Sequence, residues 1–143
     1  MEGFLAGFSL APKPLKGVEV FVVERSISTQ QPIKDVLQAF SSQAGLNSWL
    51  GESSEFFCHV GIKFTVKIAG EDSKAVFTMV DIPRKIAFMV EALGEFEFNL
   101  SQTGDYVNLT IKVRRALAPG TETAWTEDAK RIVSALEKVL THG

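Results

Sequence analysis

Cys58 and His59 are the two side chains of this sequence best able to serve as nucleophile and base. Their adjacency argues against that pairing. Both sit within an apparent strand, where successive side chains point to opposite faces and cannot share a proton. Cys58 is therefore read as a small buried hydrophobe. As the single cysteine it cannot form an internal disulfide, and it fits a reducing compartment. His59 is either a surface histidine or, if its face is the inner one, a titratable group in an apolar interior. His142 lies at the chain's end. Two distant histidines and one cysteine offer no recognised metal-ligand spacing, so neither a metal nor a cofactor is expected.

The carboxylates and guanidiniums add little. Glu91 and Glu95 flank a turn at Gly94, where solvated acids are common, and no third group is evident to organise them as an acid–base pair. Arg84 belongs to the turn Asp81-Ile-Pro-Arg. Arg25 interrupts an apolar strand, and no partner for it can be named from sequence. Trp49 and Trp125 combine a large apolar body with one N–H donor, which suits them to orient a ligand in an otherwise dry site.

Bulk composition fits such a site. Hydrophobic residues make up 45% and charged residues 22% of the 143 positions, as in a folded domain with one core. Eleven Phe against one Tyr favour a dry interior, because a buried Phe needs no hydrogen-bond partner. Fifteen basic and 17 acidic residues give a net charge of −2, with no basic cluster beyond Arg114-Arg115, so nucleic acid is not an expected partner. No run approaches the ~18 apolar residues of a membrane span, and Glu2 stands where a secretory signal carries a basic residue. A cytoplasmic location is the expectation.

The elements that must position these residues follow from periodicity. Residues 1–17 form a leader punctuated by Pro12 and Pro14, and residues 18–143 form one domain. Val18 to Ile27 is rich in β-branched residues and reads as a first strand. Ile33, Val36, Leu37 and Phe40 fall at helical spacing after Pro32; Gly45 interrupts, and a second helical turn delivers Trp49 before Gly51. From Ser54 to Arg115 about six strands follow. Phe64, Val66 and Ile68 alternate with polar residues, as do Phe96, Phe98 and Leu100, and Leu109, Ile111 and Val113, so each strand has one dry face. Trp125, Ala129, Ile132, Val133, Leu136, Val139 and Leu140 then mark an amphipathic helix of about five turns. The class is α+β: an antiparallel sheet of about seven strands, curved around a long C-terminal helix, with two short helices between strands 1 and 2.

Four stretches, Glu24-Arg-Ser-Ile, Trp49-Leu-Gly, Val60-Gly-Ile-Lys-Phe and Val80-Asp-Ile-Pro-Arg-Lys-Ile-Ala-Phe, followed by Trp125 at the head of the last helix, resemble the SRPBCC superfamily. That superfamily includes START lipid-transfer domains, the birch pollen allergen fold and polyketide cyclases. Within it the sequence is most similar to the C-terminal domain of activators of the ninety-kilodalton heat-shock protein ATPase. The resemblance spans about residues 18 to 141 and implies a helix-grip fold with a ligand cavity between sheet and helix. The sequence departs from the family near Gln30-Gln31, at Ile62, where a second Gly is usual, and in the leader.

Three functions are compatible with this reading. The first is a binding module for a small hydrophobic molecule, lipid or polyketide-like, held by Trp49, Phe64, Val66, Phe88, Phe98, Ile111, Trp125, Ala129, Ile132 and Leu136. The second is a cyclase- or hydrolase-type enzyme using the same cavity, with His59 or Arg25 polarising the substrate. The third is a chaperone-associated interaction protein that works through its outer surface. Two further strands are apolar on both faces, Ala75 to Val80 and Ile86 to Val90. If Val76, Val80, Phe88 and Val90 point inward, then Phe77, Met79, Ala87 and Met89 form an outer apolar patch, to be covered by a homodimer partner or by leader residues Phe4, Leu5, Phe8 and Leu10.

Overall fold

The computed structural model describes residues 17–142. The chain runs β1 (Glu19–Thr29), α1 (Ile33–Ser41), α2 (Gln43–Asn47), β2 (Lys63–Ile68), β3 (Glu71–Asp81), β4 (Lys85–Val90), β5 (Gly94–Thr103), β6 (Tyr106–Leu117) and α3 (Glu122–His142). One six-stranded sheet has the order β1-β6-β5-β4-β3-β2, and every pairing is antiparallel. The leader, including Phe4, Leu5, Phe8 and Leu10, lies outside the described residues.

The sheet has six strands where seven were expected, because residues 54–62 do not form one. Ser53 makes an isolated bridge to Val66. Beyond it Phe56 turns inward onto Phe64 and Phe77, at ring-centroid distances of 4.8 and 5.3 Å, while Phe57 is exposed. Phe56 is half-buried against the aromatic core, and the amide of Gly61 rejoins the sheet at the Phe77 carbonyl.

Clean alternation places the dry faces of β2, β5 and β6 inside as expected: Phe64, Val66, Phe96, Phe98, Leu100, Leu109, Ile111 and Val113 are buried, and Ile68 is half-buried. In β3 the expectation is half wrong. A bulge between Phe77 and Met79 switches the parity of the strand. Upstream of it Ala75 and Phe77 face inward, Phe77 pairing with Phe88; downstream Met79 faces outward opposite Ala87, and Val80 pairs with Ile86. Phe77 is fully buried and is not part of an outer patch. Ala87 lies on the outer face but is covered by its neighbours, leaving Met79 and Met89 exposed there.

α3 is not the sole cover of the sheet. Its 21 residues pack against β1, β6 and α1, with Trp125, Ala129, Ile132, Val133, Leu136 and Leu140 buried and Val139 half-buried. The middle of the sheet is covered by α1 and the turn after α2: the Phe40 ring stacks on Phe98 at 4.2 Å, and Trp49 meets Phe96 and Phe98 at 6.1 and 6.0 Å. Gly45 does not interrupt the helical segment but lies within α2, where a Cβ would come within 1.8 Å of the Gln38 carbonyl oxygen. Only glycine lets α2 cross α1 so closely.

Candidate functional site

The inner face carries a continuous aromatic cluster. Phe64, Phe77, Phe88, Phe96 and Phe98 link ring to ring at 5.1 to 6.3 Å. Of the ten residues expected to contact ligand, all ten are buried and belong to this one core. Phe64, Val66, Phe88, Phe98, Ile111 and Leu136 are in its depth, with at most 4% of their surface exposed. Trp49, Trp125 and Ile132 lie nearer the surface, and Ala129 is buried on the inner face of α3.

Neither tryptophan has its N–H free to orient a ligand, contrary to expectation. Trp49 Nε1 donates to the Ala39 carbonyl at 2.6 Å and Trp125 Nε1 to the Leu93 carbonyl at 2.7 Å. Both bonds are buried, and breaking either would strand a carbonyl in a dry setting. They are structural clamps: one fixes the turn after α2 to α1, the other fixes the start of α3 to the β4–β5 turn.

Beside these clamps lies a cleft of about 370 Å³. One wall is α3, through Asp128, Arg131, Ile132 and Ala135. Opposite it are Trp49 and Leu50, with Ile68 from the end of β2, Ala69 from the β2–β3 turn and Leu93 from the β4–β5 turn. Gly51 sets the approach of this wall: a Cβ there would lie 2.1 Å from the Lys67 carbonyl oxygen, so glycine is what brings Trp49 and Leu50 against the end of β2. The side chains lining it are hydrophobic apart from Asp128 and Arg131, a solvent-exposed pair that meets at 2.9 Å at the mouth. Trp49 and Ile132 were expected in the site; the others were not. The signal for three of them was apolar residues inside turns, Leu50 before Gly51, Ala69 before Gly70 and Leu93 before Gly94, where solvation alone would select polar side chains.

The groups that could have supplied catalysis lie elsewhere. Arg25 is tied to Glu137 of α3 in an ion pair that joins β1 to the helix. His59 is exposed in the loop before β2, not in a strand. Beside it Cys58 is half-buried against the core, and burial pushes its thiol up to about 11, so the nucleophilic thiolate is scarce at neutral pH. Glu95 is paired with Arg114 at 3.0 Å across the outer face, while Glu91 is exposed, so the two acids do not form a site. Arg84 pairs with Asp81 at 3.1 Å within its turn. Among the described residues no three metal-capable side chains converge, and no helix is long and apolar enough to cross a membrane.

The outer face carries a larger, shallower groove of about 830 Å³, with Val76 and Met89 among its lining and Lys63, Lys74 and Glu91 at its margins. Next to it Glu97 accepts hydrogen bonds from Asn99 and Arg114 and pairs with Lys85 at 3.0 Å. The Asn99 amide first, then the Arg114 guanidinium, hold its carboxyl down at about 2.

No protein-family model matches the sequence, and no curated protein matches it either. Solved structures do. BH1534 of Bacillus halodurans aligns with a TM-score of 0.70 and 22% identity over 83% of this chain and 96% of its own. The Aha1 dimer of Colwellia psychrerythraea aligns at 0.65 and 12% identity over 84% and 96%. DynU16, a protein of the dynemicin biosynthetic locus, aligns at 0.63 and 19% identity over 83% of this chain and 46% of its own. Likeness at these identities speaks to architecture, and the architecture it establishes is the helix-grip fold.

Proposed function

We propose that the protein binds a small hydrophobic molecule in the cleft between α3 and the Trp49–Leu50 turn. The observation that carries this reading is the cleft itself: an opening of about 370 Å³, within the usual range of ligand sites, walled mainly by hydrophobic side chains and with the charged side chains Asp128 and Arg131 at its mouth. Burial of apolar ligand surface supplies the affinity there, at about 25 cal/mol per Å². The location of Arg25 and His59 outside the cleft favours a carrier over an enzyme, because among the described residues the charged side chains that line the cleft, Asp128 and Arg131, are exposed at its mouth rather than converging inside it. A neighbour's place in the dynemicin biosynthetic locus makes a polyketide-like aromatic a reasonable ligand class to test alongside lipids. Native mass spectrometry of protein purified from its own host should detect a bound small molecule, lost in an Ala135→Trp variant that fills the cleft. Protein that carries no such molecule and takes up none from a lipid and aromatic panel would refute the reading.

A second reading is self-association through the outer face, which could accompany the first. It rests on Met79 and Met89, 41% and 40% exposed, and on the apolar groove beside them. The similar Aha1 structure is a dimer, which supports testing it. The patch is smaller than sequence alone suggested, since Phe77 is inside. Light scattering should give a dimer for the full chain and a monomer for a Met79→Lys, Met89→Lys double variant; a monomer for both would exclude it.

A further inference from the structure

The polar inventory of the cleft narrows the chemistry of what it holds, and this step rests on the hydrophobic-ligand reading above. Both indole N–H groups near it are already spent on backbone carbonyls. That leaves Asp128 and Arg131, three residues apart on the same face of α3, as the ionic side chains lining it. Among the described residues, Arg131 donates one hydrogen bond, from Nη1 to Asp128 Oδ1. Its guanidinium presents five donors in a planar fork, so most of them remain for a second acceptor. The Arg131 side chain is 70% exposed and long enough to sweep the mouth, whereas the short Asp128 side chain, 49% exposed, is held near its own backbone. A weakly hydrated guanidinium on an apolar stem is also the cation best suited to an edge between oil and water.

We infer that the cleft takes an amphiphile with an acidic head, in chemical class a long-chain or aromatic carboxylic acid. The apolar part lies against Trp49, Leu50, Leu93 and Ile132. The carboxylate stays at the mouth, where it accepts two hydrogen bonds from Arg131 and displaces Asp128 as that residue's partner. Because the head remains in contact with water, the acid loses little solvation on binding. For the same reason the ion pair adds only a modest preference, about fivefold over an uncharged head of the same chain length.

Calorimetric titration with dodecanoic acid, dodecanol and dodecylamine, each below its aggregation limit, tests this on the full chain, on Arg131→Gln, on Asp128→Asn and on a control, Lys138→Gln, which is exposed on α3 and absent from the cleft lining. The acid should bind about fivefold tighter than the alcohol, Arg131→Gln should erase that difference, and Asp128→Asn should widen it by removing a competing carboxylate, with the control unchanged. Equal binding of acid and alcohol with no response to Arg131→Gln would overturn the head-group assignment and leave the hydrophobic-ligand reading standing. A preference for the amine that Asp128→Asn abolishes would overturn it in favour of a cationic ligand. Failure of all three compounds to bind would remove both readings together.

Discussion

Phe77 and Met79 are two residues apart in β3, yet Phe77 faces Phe88 in the core and Met79 faces Ala87 on the outer surface. In a regular strand residues at this spacing share a face. The bulge between them is what lets one strand feed an aromatic ring to the core at one end and present a thioether to the surface at the other. Truncating the two to Ala should therefore separate widely in urea titrations: about 3–5 kcal/mol for Phe77→Ala and within about 1 kcal/mol for Met79→Ala. Similar losses at both positions would mean that the strand is not bulged there.

The helix stripe is graded by depth. Leu136 has no exposed surface, while Ile132 is 9% exposed and borders the cleft. Leu136→Ala should cost about 2–5 kcal/mol because the surrounding core cannot collapse into the void. Ile132→Ala should cost less, since one side of that residue already lacks packing partners. Equal costs in denaturant titration would show that the cleft is closed by side chains.

Glu97 makes acid stability testable. Its carboxyl is held at about 2 against an ordinary 4.5, so its contribution is present above about pH 4.5 and is lost as the pH falls from there toward 2. Asn99, Arg114 and Lys85 stabilise the ionised form, and protonation removes that stabilisation in the folded state. Glu97→Gln should accordingly be less stable than the parent at pH 7, and the gap should narrow across that acid window. A gap independent of pH would mean that the carboxylate charge does nothing for the fold.

The strands with strict alternation were legible because burial of one face fixes register: Phe96, Phe98 and Leu100 could point only one way. The apolar-on-both-faces stretch around Phe77 was not, since either parity buries something hydrophobic and nothing local marks the bulge. The segment around Cys58 and His59 read as a strand, yet beyond the isolated bridge at Ser53 it forms none, and Phe56 packs half-buried against Phe64 and Phe77. The helix stripe from Trp125 to Leu140 was clear from its period, whereas the role of Phe40 in covering Phe98 depends on a crossing that only the tertiary structure reveals. For the site, the ten residues read from sequence share one core, but the indole N–H groups of Trp49 and Trp125 are not the free donors they were read as, because whether such a group is spent on a backbone carbonyl depends on which turn lands beside it. Arg25 likewise acquired a partner, Glu137, that lies 112 residues away.

The central claim, a hydrophobic-ligand site between α3 and the Trp49–Leu50 turn, is tested most directly by following the indole N–H resonances of the two tryptophans during titration with dodecanol or dodecanoic acid. Trp49 lines the cleft and Trp125 does not. Saturable movement of the Trp49 signal, little movement of Trp125, and loss of both binding and shift in Ala135→Trp are the predicted result. Saturable binding that leaves Trp49 unmoved and survives Ala135→Trp would contradict the account and place the site elsewhere on the molecule.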